Sequence, residues 1–532
     1  MLRKDQKREK KMLRDNEDII CAMASGLGES AIGIVRVSGV GSVELVDSVF
    51  RGKRRLTELT TYSCAYGRIY DGDDILDEVI VIVMRGPHTY TTEDTVEIDC
   101  HGGPMVMRRI MELLVSRGAR AAMPGEFTKR AYMGGRIDMA EAEAVMDVIH
   151  AQNTLALRAS VRQLSGELSR RVRELREALL HETAYVEAAL DDPENYTVDR
   201  AELLGVAEKV GAGVAELLSH ADEGRLLKEG ISTAIIGRPN VGKSSLLNLL
   251  LGEERAIVTD IPGTTRDTLE EYVNIGDLTL RLIDTAGIRS TDDVVEQIGV
   301  ERARSTVQDA DLRLLLLDAT TGITDEDAEL LRMAIEQDRP TIILINKTDT
   351  TEVSTDLLST LDDMIGDYAD VSVRSVAMQG GDAHNTDEGT VGSAGSDTIG
   401  VSSAGSDTIG VSEDSTGSDI TGDDGAVIPV IHISAKTGAG LDTIRDTITN
   451  LFFSSGVSYN NQVYITNVRH KEKLMEARES LGRVVEALQS GVEEDLVTID
   501  MMAAYASLGE IIGEEVGDDL ADKIFSDFCM GK

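Results

Sequence analysis

The segment GRPNVGKS (237–244) decides the fold of this chain. It follows the apolar run STAIIG (232–237) and precedes the leucine-rich run SLLNLLLG (245–252). The pattern G-x-x-x-x-G-K-[ST] between a strand and a helix is typical of a phosphate-binding loop, where backbone N–H groups and a helix N-terminus surround phosphate oxygens. Lys243 is expected to neutralise β- and γ-phosphate oxygens, and the Ser244 hydroxyl to take one Mg²⁺ position. The pattern therefore predicts an α/β nucleotide-binding domain.

Three further motifs, each at the end of an apolar run, indicate which nucleotide is bound. In DTAG (284–287), Asp284 is expected to hold Mg²⁺ through water and the Gly287 N–H to contact a γ-phosphate. A carboxylate in NKTD (346–349) can accept from both N1–H and N2–H₂ of guanine, a donor pair that adenine lacks. SAK (434–436) is expected to lie behind the base. Each motif alone could be a solvated turn, but their order and spacing predict guanine specificity.

The group that orients the attacking water is not where many GTPases carry it. Those enzymes place a glutamine directly after D-x-x-G, whereas this chain has Ile288 there, which cannot hydrogen-bond water. Downstream, Asp292, Asp293 and Glu296 are candidates for the missing group.

Hydrolysis needs a positive charge beside the phosphates, and no arginine finger that would supply it is evident in the sequence. Asn240 and the loop TDIPGTTRD (259–267) offer amide, hydroxyl and carbonyl oxygens, which suit a weakly hydrated monovalent cation. A bound K⁺ is one candidate source, and Thr265 is expected to be the second hydroxyl ligand of Mg²⁺. The alternative is that these residues form an ordinary switch loop.

The composition points to a multidomain acidic protein. A chain of 532 residues holds about three or four domains. Its net charge of −41 argues against a broad basic surface that coats nucleic acid. An ordinary acidic enzyme and an adaptation to a salty cytoplasm both fit that charge. Part of the charge is local, because residues 380–426 hold ten acidic residues and no Lys or Arg.

Residues 380–426 are also of low complexity. The decamer SAGSDTIGVS occurs at 393–402 and again at 403–412, in a stretch dominated by Gly, Ser, Thr and Asp. Such a composition cannot bury enough apolar area to offset its ordering entropy, so we expect a disordered acidic insertion. Two copies of ten residues are too few to stack into a repeat architecture.

Several classes of protein are excluded. No run of about 18 apolar residues predicts a membrane-spanning helix, and no apolar run follows the basic leader 1–17, as a secretory signal would require. The four cysteines are scattered without a C-x-x-C pair, which fits neither a zinc ribbon nor a disulfide framework. We therefore expect a cytoplasmic protein.

The order of patterns predicts how the chain is divided. Mixed strand and helix patterns fill 18–137. Helical periodicity begins at about 138 and continues for some 50 residues, and a second long helix is expected over roughly 199–228. Strand–helix alternation returns over 231–453. The simplest architecture is an α/β domain inserted into a helical domain. The expected segments are a basic leader, 1–17; an N-terminal domain, 18–137; the first stretch of the helical domain, 138–230; the inserted domain, 231–453; and the second stretch of the helical domain, 454–532.

The motifs together resemble one family. GRPNVGKSS, TDIPGTTRD, DTAGIR, NKTD and SAKTG resemble the potassium-activated, dimerising GTPases. PGEFTKRAYMGGRIDMAEAEA (124–144) and the terminal CMGK (529–532) narrow the resemblance to the MnmE (TrmE) family of tRNA-modification GTPases. The resemblance spans about residue 18 to Lys532, apart from 380–426. It implies a multidomain α/β and α protein: an N-terminal α+β folate-binding domain, a discontinuous helical domain and an inserted Ras-like P-loop GTPase domain.

The resemblance implies a mechanism and a set of residues for GTP hydrolysis. G domains of two subunits meet across the nucleotide, and Glu296 matches the catalytic carboxylate that orients water. K⁺ is expected on Asn240, Thr259, Ile261 and Thr264, and Mg²⁺ on Ser244 and Thr265. The residues expected to bind GTP are Asn240, Val241, Gly242, Lys243, Ser244, Ser245, Thr259, Asp260, Ile261, Pro262, Gly263, Thr264, Thr265, Asp284, Thr285, Ala286, Gly287, Asn346, Lys347, Thr348, Asp349, Ser434, Ala435 and Lys436.

For the N-terminal domain, the resemblance implies a constitutive dimer and a site for a tetrahydrofolate one-carbon donor, in its 5-formyl or 5,10-methylene form. Arg36, Glu97 and Lys532 match folate contacts, and Arg136 stands where the family commonly has lysine. Arginine keeps the charge there but not the geometry. Cys529 matches a family cysteine, for which one-carbon chemistry and a polar lining role both remain open.

The family also implies partners. With an FAD-dependent protein, in a heterotetramer, its members add a carboxymethylaminomethyl-type group to C5 of the wobble uridine, position 34, of certain tRNAs. FAD is bound only by that partner. Two other interpretations are a ribosome-assembly GTPase of the same potassium-activated class and a nucleotide-gated scaffold without catalysis. The first would carry a basic RNA-binding module, which this sequence lacks, and the intact P-loop with Glu296 argues against the second.

Overall fold

The computed structural model describes residues 18–26, 28–253, 271–283, 310–335, 339–366, 371–376, 426–453, 463–514, 521, 523–525, 528 and 531. The chain forms two compact units, Met1–Lys228 with Asn461–Lys532, and Glu229–Asn460. The second unit thus interrupts the first in sequence, with bounds a few residues from the expected 231–453. Within the described ranges, no helix combines the length and the hydropathy needed to cross a bilayer.

The first unit begins with a seven-stranded sheet in the order β3-β4-β5-β6-β2-β1-β7. Neighbouring strands are antiparallel except β1 and β7, which are parallel. The strands are β1 Ile20–Met23, β2 Ser30–Ser38, β3 Phe50–Gly52, β4 Ser63–Asp71, β5 Asp74–Met84, β6 Thr95–Gly102 and β7 Arg120–Ala121, and the helices are α1 Ser42–Val49, α2 Pro104–Ser116 and α3 Glu126–Met133.

The alternation of apolar and polar residues decides which face of this sheet is covered. On β6, Val96 and Ile98 are buried in a core that also contains residues of α1 and α2. Because side chains alternate along a strand, Glu97 lies on the opposite face. There its neighbour across β2 is Arg36. The strand pattern therefore places a charged pair on the face that these two helices leave uncovered.

The helical periodicity that begins at about 138 is divided among several helices: α4 Met139–His150, α5 Thr154–Leu164, α6 Glu167–Asp191, α7 Arg200–Ser219 and α8 Ala221–Glu229. Asp138 and Glu141 cap α4 reciprocally, and the Asn153 side chain caps α5 by accepting from the Ala156 N–H. The expected single helix over 199–228 is instead two helices that meet at His220.

The second unit is a seven-stranded sheet in the order β13-β14-β12-β11-β8-β10-β9. All its neighbours are parallel except β9 and β10. The elements are β8 Ile231–Ile236, α9 Lys243–Glu253, β9 Glu271–Ile275, β10 Leu278–Leu282, β11 Leu312–Asp318, α10 Asp325–Ile335, β12 Thr341–Asn346, α11 Thr355–Gly366, β13 Val371–Val376, β14 Ala426–His432 and α12 Leu441–Phe452.

The central strands β8, β11 and β12 are buried along their whole length, as expected of parallel strands covered on both faces. Their carboxyl ends carry the candidate nucleotide residues, at the sheet edge where open α/β sheets bind ligands. The expected insertion 380–426 included Ala426, which the structure instead places as the first residue of β14. Residues 380–425 lie outside the described stretches of the chain.

Two long helices complete the first unit after the chain leaves the second: α13 Val468–Gln489 and α14 Glu494–Ile512. They pack with α6 and α7 around a core that includes Leu179, Val210, Leu481 and Leu508. The Asn467 side chain caps α13 by accepting from the Arg469 N–H. The helical domain is therefore discontinuous, with its core built from both sides of the inserted unit.

Candidate functional site

The phosphate-binding loop joins β8 to α9, which begins at Lys243. Gly237 and Gly242 have φ values of 152° and 108°. A Cβ on Gly242 would lie 2.2 Å from Asn346 Nδ2, and one on Gly237 would lie 2.7 Å from the Leu316 carbonyl oxygen. Only glycine fits both positions, because the backbone conformation and the close approach each exclude a side chain.

Lys243 is held inside its own loop. Its ammonium donates to the carbonyl oxygens of Gly237 and Arg238, the second at 3.0 Å. Burial lowers the pKa of Lys243 from its ordinary value, and the charge of Glu326 opposes that shift. A nucleotide phosphate would replace carbonyl dipoles by full charges around this partly desolvated ammonium, which suits the role expected of Lys243.

The base-reading motifs form one hydrogen-bonded network with the phosphate loop. Asn346, at the end of β12, donates through Nδ2 to the Val241 carbonyl at 2.8 Å and accepts from the Ala435 N–H at 2.9 Å. The Ser434 hydroxyl donates to Asp349 Oδ1 at 2.9 Å. The structure therefore brings together NKTD, SAK and the loop after β8, three segments that are far apart in sequence.

The other expected nucleotide residues divide into described and undescribed positions. Asn240 is exposed, with a φ of 66°, and Ser244, Ser245 and Lys436 are also exposed. Thr348 donates through its hydroxyl to the Ile433 carbonyl at 2.9 Å. Outside the described residues lie Thr259, Asp260, Ile261, Pro262, Gly263, Thr264, Thr265, Asp284, Thr285, Ala286, Gly287 and Glu296, and also Cys529 and Lys532.

A second polar cluster lies on the face of the N-terminal sheet opposite to α1 and α2. Arg36 donates through Nε to Glu97 Oε1 at 2.8 Å and through Nη1 to the Gly531 carbonyl at 3.3 Å. Its guanidinium lies 5.8 Å from the ring centre of Tyr90 and 5.7 Å from that of Phe127. Two of the expected folate residues thus meet the C-terminal segment at one place.

Arg136 reaches the same cluster through Tyr90. Its guanidinium donates to the Tyr90 carbonyl at 3.2 Å and lies 4.9 Å from the centre of the Tyr90 ring. Burial raises the pKa of Tyr90, and the hydrogen bond between its hydroxyl and that of Thr128, at 2.9 Å, partly offsets that shift. Cations, a carboxylate and aromatic rings are suitable partners for a flat heterocycle with a charged tail.

Sequence reasoning missed Tyr90, Arg238 and Asp318. Tyr90 stacks on Arg136, Arg238 pairs with Asp327, and Asp318 pairs with Lys347. Asp318 had a signal, since it is the polar residue directly after the apolar run LRLLLL and so ends a buried strand. Tyr90 and Arg238 had none, because their partners lie far away in sequence.

Two family models match the chain: "MnmE helical domain" over residues 139–529 and "GTP-binding protein TrmE N-terminus" over 19–136. A tRNA modification GTPase MnmE from Lachnoclostridium phytofermentans is 42% identical over 525 residues, covering 97% of this chain and 99% of the relative. One from Streptococcus sanguinis is 41% identical, covering 98% and 100%. Era from Aquifex aeolicus bound to GDP·AlF4⁻ matches 47% of this chain and 66% of its own, at 24% identity and a TM-score of 0.25.

The relatives cover nearly the whole chain, and the helical-domain model alone spans more than half of it. The two family models together cover the N-terminal domain and both stretches of the helical domain, so they show to which family the chain belongs. It decides against the ribosome-assembly and scaffold interpretations, since the relatives are tRNA modification GTPases. The chain belongs to the MnmE (TrmE) family of tRNA modification GTPases.

Proposed function

We propose that this GTPase hydrolyses GTP with K⁺ and Mg²⁺ in a cytoplasmic homodimer. With an FAD-dependent partner and a tetrahydrofolate one-carbon donor, it adds a carboxymethylaminomethyl-type group to C5 of the wobble uridine of certain tRNAs. GTP hydrolysis is the activity of its family, and the cofactors, the partners and the reaction on tRNA are the proposal. The observation that carries the folate portion is the meeting of Arg36, Glu97 and Gly531.

The nucleotide network supports the hydrolytic portion. The phosphate loop and the two base-reading motifs are already hydrogen-bonded to one another, so these three segments need little reorganisation when GTP binds. Asn240 is exposed in the left-handed region, a conformation that a non-glycine residue keeps at functional sites when its surroundings fix it. Its amide oxygen suits K⁺, and the hydroxyl of Ser244, an exposed residue at the start of α9, suits Mg²⁺.

The Arg36 cluster supports the folate portion through its donor set. Arg36 and Glu97 are each about one-fifth exposed, so the pair is sheltered yet open to a ligand. A carboxylate can accept from a pterin amino group, and a guanidinium can pair with a carboxylate of a glutamate tail. A Cβ on Gly531 would lie 2.3 Å from the Met23 carbonyl, so glycine lets the C-terminal segment approach β1 closely.

The uncovered sheet face supports the homodimer. Ile32 on β2, Tyr66 on β4 and Ile80 on β5 are 61%, 64% and 46% exposed. Tyr66 and Ile80 are direct cross-strand neighbours. Apolar side chains grouped on one sheet face are typical of a surface that another chain covers. A second copy of this domain is the occupant that we propose.

The hydrolytic portion is tested by GTP turnover in KCl against NaCl. We expect turnover to be about tenfold or more faster in KCl, because the ion supplies charge that stabilises the transition state. Glu296→Ala should leave GTP affinity nearly intact and lower turnover by about 10²-fold, the scale of a lost water-orienting group. Asp292→Ala and Asp293→Ala are the matched controls. Equal turnover in both salts would contradict the potassium role, and a larger loss in either control would reassign the carboxylate.

The folate portion is tested by equilibrium binding of 5-formyltetrahydrofolate to the full chain. Arg36→Met should weaken binding about tenfold or more, since a hydrogen bond to a charged group contributes about 1.5–3 kcal/mol. Arg68→Met is the control, because Arg68 pairs with Glu78 on the neighbouring strands of the same sheet and lies outside the cluster. Equal affinity of the Arg36 variant and the unsubstituted chain would mean that the folate site does not lie on this face of the sheet.

A further inference from the structure

Residues 318–327 run from the last residue of β11 through a loop to the first turn of α10, and they carry none of the motifs that identify a GTP site. The first of these residues ends a strand at the same sheet edge as the phosphate loop and NKTD. We call residues 318–327 the bracing loop. Each of its two end residues is a buried carboxylate, Asp318 being 4% and Asp327 1% exposed.

The first end of the bracing loop holds the base-reading motif. Asp318 Oδ2 accepts from Lys347 Nζ at 2.6 Å, and Oδ1 accepts from the N–H and hydroxyl of Thr320 at 2.9 and 2.6 Å. Burial alone would raise the pKa of Asp318, but the hydrogen bonds from Lys347 and Thr320 outweigh it and lower that pKa. The carboxylate is therefore ionised and fully engaged at neutral pH.

Lys347 itself has a φ of 68°, the left-handed region that non-glycine residues rarely adopt. It is the second residue of NKTD, two positions before the carboxylate expected to read guanine. Such backbone conformations persist only where the surroundings fix them, and they cluster at ligand sites. The ion pair with Asp318 fixes the far end of this side chain.

The second end of the bracing loop holds the phosphate loop. Arg238 Nε lies 3.2 Å from Asp327 Oδ2, and the same guanidinium donates to the Thr321 hydroxyl. Asp327 Oδ2 also accepts from the Thr324 N–H and hydroxyl, at 3.1 and 2.8 Å. Arg238 directly follows the first glycine of the phosphate loop. Its contacts with Asp327 and Thr321 therefore hold the backbone at the point where the chain leaves β8.

We propose that the bracing loop holds the base-reading and phosphate-binding segments in register, and that Asp318 is a positioning residue for Lys347 in guanine-nucleotide binding. Asp318 acts through the Lys347 ammonium and has no role in bond cleavage. Asp318 therefore strengthens the binding of GTP and GDP alike and does not change the turnover of bound GTP.

The test is equilibrium binding of GDP and of a non-hydrolysable GTP analogue to the full chain, beside turnover at saturating GTP. Asp318→Asn removes the charge and keeps the size. We expect about tenfold weaker binding of both nucleotides, with turnover within about twofold. Asp325→Asn is the control, because Asp325 is an exposed carboxylate of the same loop and should change neither value. Unchanged affinity, or lowered turnover of bound GTP, would overturn the proposal.

A double-variant comparison separates positioning from a general effect on folding. If Asp318 acts through Lys347, adding Asp318→Asn to a Lys347→Met chain should weaken nucleotide binding by less than about twofold further. The double variant removes both charges of the pair, and in the Lys347→Met chain Asp318 keeps its hydrogen bonds from Thr320, so the comparison also serves if Asp318→Asn alone does not fold. A full tenfold further loss in the Lys347→Met chain would mean that Asp318 acts on the loop alone, which would refute the positioning role.

Discussion

Glu143 on α4 is the most strongly perturbed carboxylate in the described stretches of the helical domain. Its Oε2 lies 2.6 Å from His470 Nε2, and Arg469 donates to both of its oxygens at 3.0 and 2.8 Å. Burial alone would raise the pKa of Glu143, but the charges and hydrogen bonds of His470 and Arg469 lower it to about 2. The ion pair joins α4 to α13, two helices from opposite sides of the inserted unit.

This arrangement predicts a pH-dependent stability. Because the folded pKa lies below the ordinary value of 4.5, the carboxylate stabilises the fold fully above pH 4.5 and loses that contribution as the pH falls towards 2. Glu143→Gln should lower the free energy of unfolding by about 3 kcal/mol at pH 7, measured by urea unfolding, because it leaves the largely buried Arg469 guanidinium without its carboxylate partner. The difference from the unsubstituted chain should shrink below pH 4.5.

The control for Glu143 is Glu472→Gln, an exposed carboxylate on α13, which should change the unfolding free energy by no more than about 0.5 kcal/mol. A Glu143 variant as stable as this control at pH 7 would mean that the ion pair contributes nothing net. In that case the desolvation cost of the buried pair would equal its attraction. The pH dependence of the difference distinguishes the two cases.

At the residue scale, sequence reasoning found side chains that belong to local motifs and missed those defined by distant partners. Asn346, Asp349 and Ser434 were predicted because a short pattern after an apolar run carries its own chemistry. Glu143 and His470 were not, since their pairing depends on how α4 packs against α13. Arg36 and Glu97 were expected only through the resemblance, although their cross-strand pairing follows from strand register.

At the scale of elements, periodicity located helices well and their ends less well. The expected helix over 199–228 breaks at His220, where no glycine or proline marks an end. The helix breaks there because α8 packs against a segment that is distant in sequence, which a sequence pattern does not reveal. A Cβ on Gly224 of α8 would lie 2.3 Å from the Ile465 carbonyl oxygen, so α8 lies against the chain returning from the second unit. The His220 and Tyr464 rings meet at the same place, 5.9 Å apart.

In the helical run 138–190 the helix ends were also missed, although here the residues that mark them were visible in the sequence. Asn153 and Gly166 interrupt it, the first as a side-chain cap and the second with a φ of 80°. Both residue types are common at helix ends, so these two breaks were present in the sequence but were hidden by continuous apolar periodicity. The strand β13 was missed for a different reason. Its position at the sheet edge depends on parallel pairing with β14, whose sequence lies beyond the acidic repeats.

At the scale of the whole molecule, one structural unit is inserted into another, and a low-complexity segment lies within the inserted unit. Residues 377–425 connect β13 to β14, two parallel neighbours. A parallel pair needs a crossover of about a dozen residues or more, because the chain must return along the full length of a strand. The length of this segment therefore has a lower bound set by topology, whatever its composition.

The composition of 380–426 alone predicts that its deletion leaves potassium-stimulated hydrolysis in place. The minimum length of the crossover between β13 and β14 predicts the opposite. Removing 380–426 would leave three residues, 377–379, for that crossover and would also remove the first residue of β14. Removing 371–423 would delete β13 together with the repeats and leave six residues, 367–370 and 424–425, between α11 and β14. Six residues are an ordinary connection from a helix to a strand. SAK would then still follow β14 beside β12.

We therefore expect the 371–423 deletion to keep potassium-stimulated GTP turnover within about threefold of the full chain, and the 380–426 deletion to lose most of it. The measurement is turnover in KCl against NaCl at equal protein concentration, beside the thermal midpoint of unfolding. Replacing 380–425 by a flexible 12-residue linker is the control, since it keeps β13 and a long enough crossover and should behave like the full chain. If the 371–423 deletion loses turnover while the linker chain keeps it, β13 is needed for the GTP site. If both lose it, the repeats themselves contribute to hydrolysis, and composition alone would have been a poor guide to their role.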